Sequence, residues 1–392
     1  MSKNLRELEQ IQQNLEYQNE NLKVFIADVL PFEIRGEKDM EDRLLEVENL
    51  VNTYGGVVIL KHIQKRWVPD YGTYIGSGKL DEIIEQMEES GAKLLILGNI
   101  LKPIQMYNIN EKLKEIWAKA WDRVDLILKI FEKNAKTTES KLQIELASIK
   151  HMWPRIYGMS EELGSQWSWW NKGSRGKWET NTQIMKRHLS ERQEVIKKDL
   201  EHYKKVRQQH REGRSKKWLL TVGIVGYTNA GKSSLMNILT RKWVLSEDKL
   251  FATLGTSVGK MVVFPLEKND EVYQKPKEIL VNDTIGFIRD LPPGLIKAFA
   301  STLEDSIESD LLLHVIDASD PKLIEKIKVV DDILSDIKAT QKKLYVFNKT
   351  DMLSQDQIDE LRVQFLDYNP IFISTYNGNG IEDLKQIIAE NV

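Results

Sequence analysis

"WLLTVGIV" at residues 218–225, followed by "GYTNAGKSSLMNILT" at 226–240, decides how this chain folds. An apolar run, a glycine-bounded loop and a helical segment succeed one another without a gap. The loop, GYTNAGKS at 226–233, fits G-x-x-x-x-G-K-S. A buried strand before it and a helix after it are the flanks that a phosphate-binding loop requires. Backbone N–H groups along Gly226, Tyr227, Thr228, Asn229, Ala230 and Gly231 can face phosphate oxygens at the start of that helix. Lys232 then reaches the outer phosphates, and Ser233, followed by Ser234, offers a hydroxyl to magnesium.

Further strand ends carry the rest of a nucleotide site. NKTD (348–351) follows the apolar KLYVF. The Asp351 carboxylate can accept from both N1–H and the exocyclic amine of guanine, a donor pair that adenine lacks, so guanine is favoured. Asn348 can brace the loop, the stem of Lys349 can cover the base, and Thr350 completes the motif. Ser374, Thr375 and Tyr376 end the run PIFIST and can turn a backbone N–H to the guanine O6. DTIG (Asp283, Thr284, Ile285, Gly286) ends the strand-like KEILVN. There Asp283 can hold magnesium through a water and Gly286 can present its N–H to the γ-phosphate. FATLGTSV (251–258) lies between, with Phe251, Ala252, Leu254 and Gly255 around three competing hydroxyls, Thr253, Thr256 and Ser257. The residue after DTIG is Phe287, which can neither donate nor accept a hydrogen bond and so cannot orient an attacking water.

Composition bounds the remainder. At 392 residues the chain is long enough for two or three domains. With 41% hydrophobic and 29% charged residues it belongs with ordinary globular proteins rather than disordered ones. No cysteine is present, which excludes disulfides and cysteine chemistry, and the six histidines form no pair at metal spacing. No apolar run reaches about 18 residues and the start is polar, so no membrane span and a cytoplasmic location are expected. The net charge of −3 hides a basic stretch, Lys172 to Lys217, with fifteen Lys or Arg against six Asp or Glu. A polyanionic partner is compatible with it.

The predicted fold class is α/β, with three parts: a small N-terminal α/β domain (1–135), a long antiparallel helical pair (136–216) and a phosphate-loop domain with a mixed, mostly parallel sheet (217–392). In the first part GGVVIL (55–60) and KLLILG (93–98) alternate with helical runs, which predicts a partly parallel sheet. YIGSGK (74–79) there reads as a turn feeding a helix, or as an anion cradle. In the second part Leu142, Leu146, Ile149 and Trp153 recur at helical spacing, and Pro154 is expected to end that helix. Leu189, Ile196 and Tyr203 repeat every seven residues on the next, with Met185 and Leu200 beside them. The connecting stretch SQWSWWNKGSRGKWET (165–180) carries four tryptophans among basic residues. Trp167, Trp169 and Trp170 can stack on unpaired bases, or tuck against their own helices. In the third part an antiparallel edge pair is expected at 260–265 and 277–282.

Taken together, GYTNAGKSSLMN, LFATL, DTIGFIRDLP, AFASTLED, LLLHVIDASD and NKTDML resemble the HflX family of ribosome-associated GTPases. YIGSGK, DLILKIFEKNAKTTESKLQIELA and RGKWET extend the resemblance over nearly the whole chain. It implies a GTPase domain stimulated by the ribosome, a helical pair whose loop reaches into the large ribosomal subunit, and a role in splitting or rescuing stalled ribosomes under stress. It favours Thr253 as the second magnesium ligand, with Ser257 next. Arg175, Gly176, Glu179 and Thr180 keep the family loop, whereas Lys177 and Trp178 depart from it, and the last guanine motif reads STY.

The expected activity is hydrolysis of GTP to GDP and phosphate, slow alone, with Lys232, Gly286 and the loop amides stabilising the transferring phosphoryl group. Asn229 can also help hold a potassium ion against the phosphates, or brace the loop. The chain is expected to be a monomer when free. The alternative is a GTP-switched RNA-binding or regulatory protein whose hydrolysis is incidental.

Overall fold

The computed structural model describes residues 22–30, 32, 37–135, 137–167, 175–215, 220–240, 257–263, 276–283, 286–288 and 309–391. The chain groups into two units, Met1–Lys133 with Ser148–Gln193, and Asn134–Ala147 with Glu194–Val392.

In the first unit, β1 (Leu22–Leu30), β2 (Gly56–Lys65), β3 (Leu94–Leu97) and β4 (Lys119–Trp121) form one sheet in the order β2-β1-β3-β4. Every neighbouring pair is parallel, so the sheet is wholly rather than partly parallel. The strand that alternation did not reveal, β1, lies inside it. LKVFIADVL runs apolar without a polar face because neighbours flank it and both faces are covered. Around the sheet lie α1 (Glu37–Tyr54), α2 (Ser77–Ser90), α3 (Pro103–Leu113) and α4 (Arg123–Asn134). On α2, Leu80, Ile83 and Met87 fall on one stripe and are buried. YIGSGK is the turn into this helix, and the Gly76 N–H already donates to Gln64 Oε1 at 2.8 Å.

Two long helices follow, α5 (Thr138–Trp167) and α6 (Arg175–Ser215). Pro154 does not end α5, contrary to expectation, but lies inside it. A proline there removes one helical hydrogen bond and crowds the preceding turn. The next residue offsets that loss: Arg155 donates from Nη2 to Asp122 Oδ2 at 2.7 Å and from Nη1 to both oxygens of Asp125 at 3.0 and 2.9 Å. Burial alone would raise the Asp122 carboxyl, but the hydrogen bond with His151 and the Arg155 charge hold it below its ordinary value. Although Asp122, Asp125 and His151 converge as metal ligands do, Arg155 already bonds Asp122 Oδ2 and both oxygens of Asp125.

The helices also shorten the predicted connection, because Trp167 closes α5 and Arg175 opens α6. Residues 168–174, with Trp169 and Trp170, lie outside the described residues. Along α6 the seven-residue repeat marks the covered face: Ile196 is buried, Leu189, Leu200 and Tyr203 are half-buried, and Met185 is exposed.

In the second unit, β5 (Leu220–Gly226), β6 (Ser257–Val263), β7 (Lys277–Asp283), β8 (Leu311–Asp317), β9 (Lys342–Asn348) and β10 (Ile371–Phe372) pair in the order β10-β9-β8-β5-β7-β6. Only β6 runs antiparallel, paired with β7 at the sheet edge where that pair was expected. The helices α7 (Lys232–Thr240), α8 (Leu323–Asp336), α9 (Gln355–Gln364) and α10 (Ile381–Asn391) accompany the sheet. Val222, Ile224, Leu313, Val315 and Val346, all fully buried, centre its core. Among the described residues no helix is long and apolar enough to cross a membrane.

Candidate active site

The polar residues of the second unit gather where β5, β7, β8 and β9 end. In parallel α/β sheets that edge is where ligands bind, because the loops leaving the carboxyl ends diverge there. Lys232, the first residue of α7, is buried and donates to Tyr227 O at 2.6 Å across the loop. Burial pulls its ammonium down to about 8, against the opposing charge of Asp283. An arriving polyphosphate would restore the proton's hold. Ser233 Oγ donates to Asp283 Oδ2 at 2.8 Å, which brings a hydroxyl and a carboxylate oxygen together. An oxygen-only donor set of this kind suits magnesium, a small hard cation.

Gly286 sits against the phosphate loop. A Cβ built on it would lie 2.8 Å from Lys232 Nζ and 2.8 Å from Thr228 Cγ2, so any side chain there would have to displace one of them. Two backbone bonds hold this approach: Thr228 N–H donates to Phe287 O at 2.8 Å, and Phe287 N–H donates to Gly226 O at 3.1 Å. The Phe287 ring is buried, 2% exposed, and is packed away from solvent. Asn229, by contrast, is exposed at the tip of the loop with φ of 63°.

The NKTD segment is tied to the same loop. Asn348 Nδ2 donates to Ala230 O at 2.9 Å, and Asn348 Oδ1 accepts from Thr375 N–H at 3.0 Å. Gly231, at φ +93°, leaves that amide its room: a Cβ there would come within 2.2 Å of Asn348 Nδ2. Ser374 Oγ donates to the Asp351 carboxylate and accepts from Tyr376 N–H at 3.2 Å. Thr350 Oγ1 donates to Ile373 O at 2.9 Å, and Lys349 Nζ pairs with Asp317 Oδ2 at 2.7 Å.

The structure therefore gathers Tyr227, Thr228, Lys232, Ser233, Asp283 and Gly286 at one end, and Asn348, Lys349, Asp351, Ser374 and Thr375 at the other. Phe251, Ala252, Thr253, Leu254, Gly255 and Thr256, with Thr284 and Ile285, lie outside the described residues. Two nearby groups had not been singled out. Asp317 positions Lys349, and His314 lies buried in β8 with its imidazole pulled down to about 4 by that burial. Their signal was the polar pair in LLLHVID, a histidine and a terminal aspartate in an otherwise apolar strand.

Comparison with known proteins shows which family carries this arrangement of loop and NKTD segment. Three family models match in succession: GTP-binding GTPase N-terminal over residues 41–132, GTP-binding GTPase middle region over 134–214, and 50S ribosome-binding GTPase over 221–349. The GTPase HflX of Caldanaerobacter subterraneus subsp. tengcongensis is 39% identical over 353 residues, 90% of this chain and 77% of that protein. The GTPase HflX of Escherichia coli is 37% identical over 357 residues, 91% of this chain and 80% of that protein. The crystal structure of SsGBP in complex with GDP superposes with a TM-score of 0.54 at 26% identity, covering 94% of this chain and 98% of that one. With this span and identity, the chain belongs to the HflX family of GTPases.

Proposed function

We propose that this protein is a ribosome-associated GTPase that binds the large ribosomal subunit and hydrolyses GTP under its control, in the service of splitting or rescuing ribosomes under stress. The observation that carries the reading is the buried Phe287 ring where a water-orienting side chain would stand, beside an otherwise assembled phosphate loop. Lys232 and the loop N–H groups bind the β and γ phosphates, and Gly286 lies close enough to direct its N–H at the γ-phosphate. Ser233 and Asp283, with Thr253, would hold magnesium, which neutralises phosphate charge when bound. Asp351 reads the guanine edge while Asn348 holds the loop. Nothing in this set orients water, so basal turnover is slow and the partner supplies the missing positioning. The proposal takes the free chain as a cytoplasmic monomer whose N-terminal, helical and GTPase parts are residues 1–135, 136–216 and 217–392.

The test is GTP turnover with and without purified large subunits. Stimulation of at least about tenfold, equivalent to about 1.4 kcal/mol of barrier, is expected. Replacing residues 168–174 should abolish that stimulation and leave the basal rate intact. Unstimulated turnover at saturating subunits would instead favour a passive GTP switch.

A cation effect is expected as well. Asn229 is exposed and left-handed at the loop tip, where its amide oxygen is available to a monovalent ion lying against the phosphates. Turnover should be faster in potassium than in sodium salts of equal ionic strength, and equal rates would remove this role for Asn229.

A further inference from the structure

The turn after β2 presents large apolar side chains to solvent with no internal reason to do so. Trp67 and Val68 are each 72% exposed, Tyr71 is 70% exposed, and Phe32 lies beside Trp67 with ring centroids 5.1 Å apart. Contiguous exposed apolar groups of this size mark interaction sites. The scaffold beneath them is fixed. Asp70 Oδ1 accepts from Gly72 N–H at 2.9 Å and Thr73 N–H at 3.1 Å, closing the turn on its own carboxylate. From α3, Gln105 Nε2 donates to Asp70 O at 2.6 Å and Asn108 Nδ2 donates to Gly72 O at 2.9 Å. The turn ends on Tyr74, which is buried and donates its hydroxyl to Asp28 at 2.5 Å. The exposed rings thus stand on a preorganised backbone, which lowers the ordering cost when a partner arrives.

The charges around them select the partner. Lys65 is exposed, Arg66 precedes Trp67, and Lys102 Nζ lies over the Tyr71 ring, 5.3 Å from its centroid. The nearby carboxylate, Asp70, is engaged by the turn and lies 3.5 Å from Arg66 Nη1. Flat aromatic faces rimmed by cations fit unpaired nucleotides, whose bases stack and whose phosphates pair with the cations. We infer that the Phe32–Trp67–Tyr71 surface binds an unpaired segment of ribosomal RNA. Its residues are distinct in sequence from the tryptophans between α5 and α6. Its ribosomal source rests on the proposed function, whereas its stacking chemistry does not.

The experiment uses the full chain with two probes, a short unstructured oligouridine and purified large subunits. Trp67→Ala and Tyr71→Ala should each weaken oligouridine binding about tenfold, within the range that base stacking supports, and Trp67→Phe should retain most of it. Lys102→Gln should flatten the salt dependence by about 0.7 in log–log slope, one phosphate's share for a single strand. The alanine variants should also raise the subunit concentration for half-maximal stimulation by a similar factor, with basal GTP turnover unchanged. Unaltered oligouridine binding in both alanine variants would overturn the stacking assignment, even if subunit dependence moved, since the surface would then meet ribosomal protein. Weakened oligouridine binding with unaltered subunit dependence would overturn the ribosomal source. Wild-type protein that ignores large subunits altogether would defeat the proposed function and the ribosomal source together, with the oligouridine arm still deciding the stacking chemistry.

Discussion

Asp351→Asn is expected to lower kcat/KM for GTP by about four orders of magnitude and to confer hydrolysis of xanthosine triphosphate. A site built to hydrogen-bond a substrate group rejects the wrong partner by about 10⁴ to 10⁵, because buried polar groups are left unmatched. In the proposed function the carboxylate accepts from two guanine donors, N1–H and the exocyclic amine. An asparagine amide offers one acceptor and one donor, so its NH₂ would face the guanine amine donor to donor. Xanthine replaces that amine by a carbonyl, which the new NH₂ can satisfy. Steady-state rates with the two nucleotides check this, alongside a melting curve to show that loss of the Ser374 contact has not unfolded the segment. A variant that lost GTP turnover without gaining the xanthine nucleotide would mean that NKTD does not read the base.

The largest stability effect is expected at Arg155. Its guanidinium satisfies Asp122, which is fully buried, and Asp125. Arg155→Leu removes the guanidinium from a carboxylate held out of water and leaves it to His151 and backbone N–H groups; losing one partner of a buried pair costs up to about 3–5 kcal/mol. Because Arg155 belongs to the unit Met1–Lys133 with Ser148–Gln193, calorimetry in saturating GTP should show an unfolding transition moved down while the nucleotide-protected one stays. The pH dependence has a fixed sign. Asp122 has a depressed carboxyl pKa in the folded chain, so its contribution is present above the ordinary 3.8 and is lost as pH falls through the lower, folded value. Unaltered melting of Arg155→Leu at neutral pH would show that the pair holds nothing in place.

The second unit was legible because its elements announce themselves twice, once as apolar runs and again as motifs at fixed places on their ends. The edge pair β6–β7 and the strand feeding the phosphate loop were readable on that basis. In the first unit β1 escaped because a strand covered on both faces shows no alternation, and Asp28 within it looks like a break. Asp28 is instead buried beneath Tyr74, a partner 46 residues away that no local pattern connects to it. Pro154 misled for a similar reason. Local preference argues against a helix at that position, and the ion pairs of Arg155 with Asp122 and Asp125 are tertiary facts. The spacing of GYTNAGKS and NKTD suggested two ends of one site, but the hydrogen bonds that join them depend on φ at Gly231 and on a side chain 118 residues from its acceptor.

That last link has a consequence for how the cleft opens. The Asn348 amide holds Ala230 O of the phosphate loop with its nitrogen and Thr375 N–H with its oxygen, so neither contact can be released while the amide remains in place without orphaning a buried polar atom. Amide protons of the three segments should therefore exchange with deuterium at a shared rate, as one cooperative opening rather than three independent ones. In the proposed function, recognition of the base and grip on the phosphates then share a single free energy of opening.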